Sequence, residues 1–85
     1  MTNEEIRDRA RMILAKALKT DPSRIDDNAS QIDLTDWDSV RHMNVVIGLE
    51  NEFEIEFEDS ELANLTSLPL LVEAIKKHTS NQAAS

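Results

Sequence analysis

The chain has no cysteine, a single glycine, no long apolar run, and only 9 Lys and Arg against 17 Asp and Glu among its 85 residues. Without cysteine neither a disulfide framework nor a thiolate metal site can form, so the fold must rest on apolar packing. The only glycine, Gly48, lies far from the acids of the polar connection, Asp21, Asp26, Asp27, Asp33, Asp36 and Asp38. A calcium loop of the EF-hand type needs a central glycine, oxygen ligands at fixed alternate positions and a final bidentate glutamate, and these acids have no such arrangement. His42 and His78 have no companion ligands, so no metal site is predicted. No segment approaches membrane-spanning length, and Met1 to Glu5 contains no positive region leading into an apolar run. A soluble cytoplasmic protein, expected to be monomeric, follows. The net charge of −8 repels nucleic-acid phosphates and anionic membranes, and steers the chain toward basic protein surfaces.

At this length one domain is expected, burying only about 60 to 65% of the surface that the unfolded chain exposes. Its core is small, with little room for an enclosed active site. Ile6, Ala10, Ile13, Leu14, Ala17 and Leu18 recur at spacings of three and four, which predicts a first helix over about residues 3–19. Thr2 with Glu5 fits a capping box, and Arg7, Arg9, Arg11 and Lys16 are expected on the solvated face. Asp21-Pro22 ends this helix. Residues 20–37 then form a long connection whose expected anchors are Ile25, Ile32, Leu34 and Trp37.

A second helix is predicted over about residues 39–53. His42, Val45, Val46, Leu49 and Phe53 make one apolar stripe, and Val40, Met43 and Ile47 make another. A domain this small cannot readily bury both, so part of the second stripe is expected to lie exposed beside Ser39 or to border a cleft that opens for an apolar cargo. Within this helix Gly48 costs about 1 kcal/mol relative to alanine, which points to close packing of another element. Strict alternation from Glu52 to Glu58 has no second strand to pair with, so it reads as an extended crossover with Phe53, Ile55 and Phe57 turned inward. Asp59 to Leu65 suggests a short third helix, with Ser60 as a cap. Thr66 or Ser67 caps a fourth helix, which buries Leu68, Leu71, Val72 and Ile75 and tolerates Pro69 in its first turn. The fold class is all-α: a four-helix bundle with three main helices, a short third one and a long loop between the first two. Residues 1–78 form a single domain, and residues 79–85 are expected to be a disordered tail.

Asp38-Ser39-Val40 stands at the head of the second helix, just after Trp37. A serine there ordinarily caps the helix. The apolar helix that follows, then Glu50-Asn51-Glu52-Phe53, all in a small acidic chain, give these residues another meaning. Over roughly residues 4 to 78 the chain resembles the acyl carrier and peptidyl carrier proteins. The resemblance implies that Ser39 is esterified by 4′-phosphopantetheine, whose thiol holds acyl or aminoacyl groups as thioesters, and that Asp38 assists the encounter with the transferase and its magnesium. It also implies docking through the second helix and nearby acids, with Val40, Met43, Ile47 and Glu50 contacting partners or cargo. The implied partners are a phosphopantetheinyl transferase, an acyl- or aminoacyl-loading enzyme and a downstream synthase or transferase.

Such a chain is a substrate of enzymes and not an enzyme. A hydrolase reading of Ser39 would need a base in reach, a group orienting that base, and a substrate pocket. Asp59-Ser60 repeats the Asp-Ser pair, but only Ser39 is followed by a long apolar helix. Arg41 and Asn44 occupy positions that are commonly acidic in carriers of primary fatty acid biosynthesis, which favours a specialised pathway: polyketide, nonribosomal peptide, polysaccharide or amino-acid-activating. The alternative is an unmodified acidic helical adaptor that binds a basic protein partner through the same surface.

Overall fold

The computed structural model describes the backbone of residues 2–84 and the side chains of residues 2–79. Among these residues four helices follow in order: α1 (Asn3–Leu18), α2 (Ser39–Phe53), α3 (Asp59–Leu62) and α4 (Leu68–Ala84), with a 3-10 turn at Pro22–Arg24 between the first two. Among the described residues there is no strand, only an isolated antiparallel bridge between Ser30 and Ser67. The helices close around one apolar core in which α1 packs against both α2 and α4.

Helix α1 starts where the Thr2 hydroxyl accepts the Glu5 amide at 3.2 Å and donates to the Glu5 carboxylate at 3.3 Å. It ends with Lys19 in the left-handed region, φ 56° and ψ 46°, while the Thr20 amide reaches back to the Ala15 carbonyl. Glu54 ends α2 in the same way, with the Ile55 amide on the Glu50 carbonyl. Both ends are Schellman closures without the usual glycine. The second redirects the chain sharply, so that Ile55 and Phe57 turn into the core beside Phe53, as the alternating pattern predicts.

Several expectations are corrected by packing. The long connection is not anchored at Ile32, which is 90% exposed. Ala29 replaces it: the Leu68 amide donates to the Ala29 carbonyl at 2.8 Å and the Gln31 amide to the Thr66 carbonyl at 2.9 Å, drawing Ala29 inward and turning Ile32 out. Ile25 and Trp37 are buried as anchors, and Leu34 packs against the core. The basic face of α1 is less solvated than its sequence suggests, because Arg7 and Arg11 both pair with Asp27 of the connection and Arg9 pairs with Glu52 of α2. Helix α3 is one turn shorter than expected. Glu58 and not Ser60 is its cap residue, the Glu58 amide donating to Glu61 Oε1 at 3.0 Å. Ser67 provides the cap of α4 through the Leu70 amide, at 3.3 Å. The α4 backbone continues to Ala84, into the segment expected to be disordered. No proline or glycine interrupts that stretch, and the Thr79 hydroxyl donates to the Ile75 carbonyl. Ser85 lies outside the described residues.

Gly48 has the packing reason anticipated for it, since a Cβ there would lie 2.8 Å from Cγ2 of Ile13 on α1. Gly48→Ala therefore sets a gain of about 1 kcal/mol in helix propensity against roughly 1–3 kcal/mol of overpacking. In the native background, chemical denaturation should find it destabilising. With Ile13→Ala removing the obstructing methyl, the same change should stabilise, and a double-mutant cycle reads the coupling.

The Glu61 carboxylate faces His78 Nε2 at 2.9 and 3.1 Å and joins α3 to α4. Its pKa is held below the usual glutamate value first by the Glu58 amide and then, against the opposing effect of burial, by His78. A lowered folded-state pKa adds stability above the unfolded value, and that stability is lost as pH falls through the folded one. Urea titrations should show stability falling below about pH 4.5, with Glu61→Gln flattening that acid limb.

Candidate functional site

The first turn of α2 is closed by the residue before its serine. Asp38 has extended backbone, its Oδ1 accepts the Arg41 amide at 2.9 Å, and its carbonyl accepts the His42 amide at 2.8 Å. Capping, the ordinary role of a serine at this point, belongs to Asp38. Ser39 is the first helical residue, exposed, and its hydroxyl forms no hydrogen bond among the described residues. The amides of the first turn that have no intrahelical partner lie beside it, where the helix dipole favours an anion.

Arg41 folds back over the acids that precede the serine. Its Nη1 donates to the Asp36 carbonyl at 3.2 Å and lies 4.0 Å from the Asp36 carboxylate and 3.9 Å from that of Asp38. The positive charge that the sequence places near Ser39 is thus engaged by its own neighbours.

His42 is turned away from catalysis by its partners. The buried indole of Trp37 donates from Nε1 to His42 Nδ1 at 3.0 Å. Because an indole N–H can only donate, Nδ1 is the acceptor and the proton sits on Nε2, which donates to the Leu62 carbonyl at 2.9 Å. Both ring nitrogens are occupied, leaving none to take a proton from Ser39. Among the described residues no group of three or more His, Asp or Glu is placed to hold a metal ion.

The second apolar stripe of α2 does lie open: Val40 is 75%, Met43 46% and Ile47 50% exposed. Met43 and Ile47 border a groove between α2 and α3 with Val46, Phe57 and Leu62. Glu50 lines the same groove, but its carboxylate accepts the Phe57 amide at 2.9 Å, so it also clamps the crossover to α2. Glu52 in the last turn of α2 and Glu54, Glu56, Glu58 and Asp59 beyond it form an exposed acidic edge. Ser60 is exposed within the four-residue α3, not at the head of a long apolar helix. Sequence reasoning missed the role of Asp38 as cap, although an Asp-Ser pair at a helix start always offers two candidates for it.

No described helix is long and apolar enough to cross a membrane. The family model for the phosphopantetheine attachment site matches residues 8–75. The chain is 31% identical over 78 residues to an acyl carrier protein of Cyanidioschyzon merolae, covering 92% of this chain and 86% of that protein. Acyl carrier protein 2, mitochondrial, of Arabidopsis thaliana is also 31% identical over 78 residues, which are 92% of this chain and 62% of the relative. The fold superposes on the solution structure of holo acyl carrier protein from Geobacter metallireducens with a TM-score of 0.80 at 26% identity, covering 92% of this chain and 90% of that one. The free alcohol at the head of α2 fits what such a family requires. The chain belongs to the phosphopantetheine attachment family, as a carrier of acyl thioesters on covalently bound 4′-phosphopantetheine and not as a catalyst.

Proposed function

We propose that Ser39 is the residue that bears the arm, within a carrier domain spanning residues 1–78. The observation that supports this reading most is the exposed Ser39 hydroxyl, relieved of capping by Asp38 and free of any internal hydrogen bond. In the transfer, the Ser39 oxygen attacks the pyrophosphate of coenzyme A. One P–O bond forms at serine, the bond to the adenosine bisphosphate half breaks, and the serine proton passes to a base of the transferase. The phosphodiester then lies against the first-turn amides of α2, which suit its charge. Once attached, the group supplies a terminal thiol for thioester formation.

Asp38 serves the transferase encounter and its magnesium, while Val40, Met43 and Ile47 form the face that meets partners or cargo. The acidic edge past α2 speeds encounter with basic surfaces, the usual effect of rim charges. A specialised pathway is part of this reading. It is supported by Arg41 and by Asn44, which leave the face near Ser39 less acidic than in carriers of primary fatty acid biosynthesis. A monomer in the cytoplasm completes it, although the Arabidopsis relative is mitochondrial by name. An unmodified adaptor would use the same exposed stripe and differs in requiring no change at any serine.

Incubation with coenzyme A, magnesium and a broad-specificity phosphopantetheinyl transferase should add the mass of one phosphopantetheine to the native chain and none to Ser39→Ala. No gain in the native chain, or an equal gain in the variant, rejects the assignment. Asp38→Asn separates the two roles of that side chain, since asparagine caps as well as aspartate. Its stability should stay within about 0.5 kcal/mol of native. Transferase kcat/KM should fall about tenfold, corresponding to roughly 1.4 kcal/mol of lost charge attraction. Steady-state kinetics beside a denaturation curve decides the point.

A further inference from the structure

One imidazole joins three elements around the serine. On one side, His42 Nδ1 holds the indole N–H of Trp37, a side chain only 3% exposed that would otherwise bury an unpaired donor. Trp37 is itself fixed by its amide on the Leu34 carbonyl at 2.9 Å and by Gln31 Nε2 on its own carbonyl at 3.4 Å, and it lies two residues before Ser39. On the other side, His42 Nε2 holds the carbonyl of Leu62, the last residue of α3. A four-residue helix cannot persist without tertiary ties. The tie at its other face is the Glu61–His78 pair. Leu62 forms one wall of the groove whose opposite wall carries Met43, Val46 and Ile47. The mechanism of a carrier leaves this histidine without a task, yet both its nitrogens are committed.

We propose that His42 is a positioning residue that couples the segment bearing Ser39 to α3, so that the α2–α3 groove does not open without loosening Trp37. An apolar chain entering that groove would displace the Leu62 carbonyl, release Nε2 and be felt two residues from the attachment point. This use rests on Ser39 being that point; the coupling itself does not. His42→Phe keeps a planar ring and removes both hydrogen bonds. His42→Gln retains a donor long enough for Leu62 but not the ring acceptor for Trp37.

The coupling is tested by native-state hydrogen exchange on the unmodified chain. In His42→Phe, the amides of Trp37, Asn64 and Leu65 should all exchange about tenfold faster, the factor for losing one hydrogen bond, with Leu14 and Leu71 in the core unchanged. Acceleration at one end only, or equally at Leu14 and Leu71, overturns the proposal. Should His42→Phe fail to fold, His42→Gln decides: Trp37 should exchange faster with Leu65 native, and native rates at both ends, or acceleration throughout, overturn it.

A second readout is available because Trp37 is the only tryptophan and there is no tyrosine. Its emission should change when an octanoyl arm is loaded on the native chain, with intact mass confirming the load, and should not change in His42→Phe. An unchanged emission in a chain shown to be loaded counts against the coupling. Absence of any mass gain refutes the Ser39 assignment instead, and hydrogen exchange on the unmodified chain then decides the coupling alone.

Discussion

The hydrogen bond from the Arg41 amide to the Asp38 carboxylate sets the terms for the rest of the molecule. It closes the first turn of α2 with an acid, and so leaves the next residue, Ser39, with a helical backbone and an unengaged alcohol. It also fixes where α2 begins, and with it the rotation of the helix. Val45, Val46, Leu49 and Phe53 then face the core, while Val40, Met43 and Ile47 face water. Were serine the cap, its oxygen would be held by the backbone. The same acid thus serves stability through one oxygen and leaves its charge beside the alcohol proposed to carry the arm.

That turn keeps its position only if the polar connection before it is held, and the structure holds it at few points. The Asp21 side chain accepts the Ser23 amide at 3.0 Å and starts the 3-10 turn. This bond, with the Ser23 hydroxyl, lowers the carboxyl below its ordinary pKa. Asp27 is gripped by Arg7 and Arg11 of α1. Ala29 and Gln31 bond backbone to backbone with the entry of α4, and Trp37 inserts its indole under α2. Exposed ion pairs contribute about 0–1 kcal/mol each. Full burial of a large apolar side chain contributes roughly 1.5–3 kcal/mol. Ile25 and Trp37 therefore outweigh the arginines in fixing the loop.

The negative charge divides into two populations. Asp21, Asp38, Glu50 and Glu61 are committed to backbone amides, and Glu61 also to His78. Glu52 pairs with Arg9, while Glu56, Glu58 and Asp59 line the exposed edge. The first group shapes the fold; the second is the charge that the proposed encounter with a basic partner would use. A net charge of −8 is consequently not one uniform field, and the neighbourhood of Ser39 is moderated further by Arg41 lying across Asp36 and Asp38.

Local pattern carried much of this. The spacing of Ile6, Ala10, Leu14 and Leu18, the double stripe of α2, and Leu68, Leu71 and Ile75 locate the three main helices, because a helix that buries one face must repeat its apolar residues at 3.6. The inward turn of Ile55 and Phe57 and the packing demand behind Gly48 were legible on the same grounds. What could not be read were choices between neighbours that are equal in sequence. Asp38 and Ser39 fit the cap equally well in sequence, while Ala29 or Ile32 as anchor and the Leu62 partner of His42 depend on which groups distant segments bring within 3 Å. Hydrogen bonds between residues 29 and 68, or 42 and 62, have no local signature. The sequence by itself determined an acidic helical bundle with an Asp-Ser pair opening an over-apolar helix. Only tertiary structure decided that aspartate caps, serine stays free and histidine is locked, since directional bonds need both partners in place before either has a role.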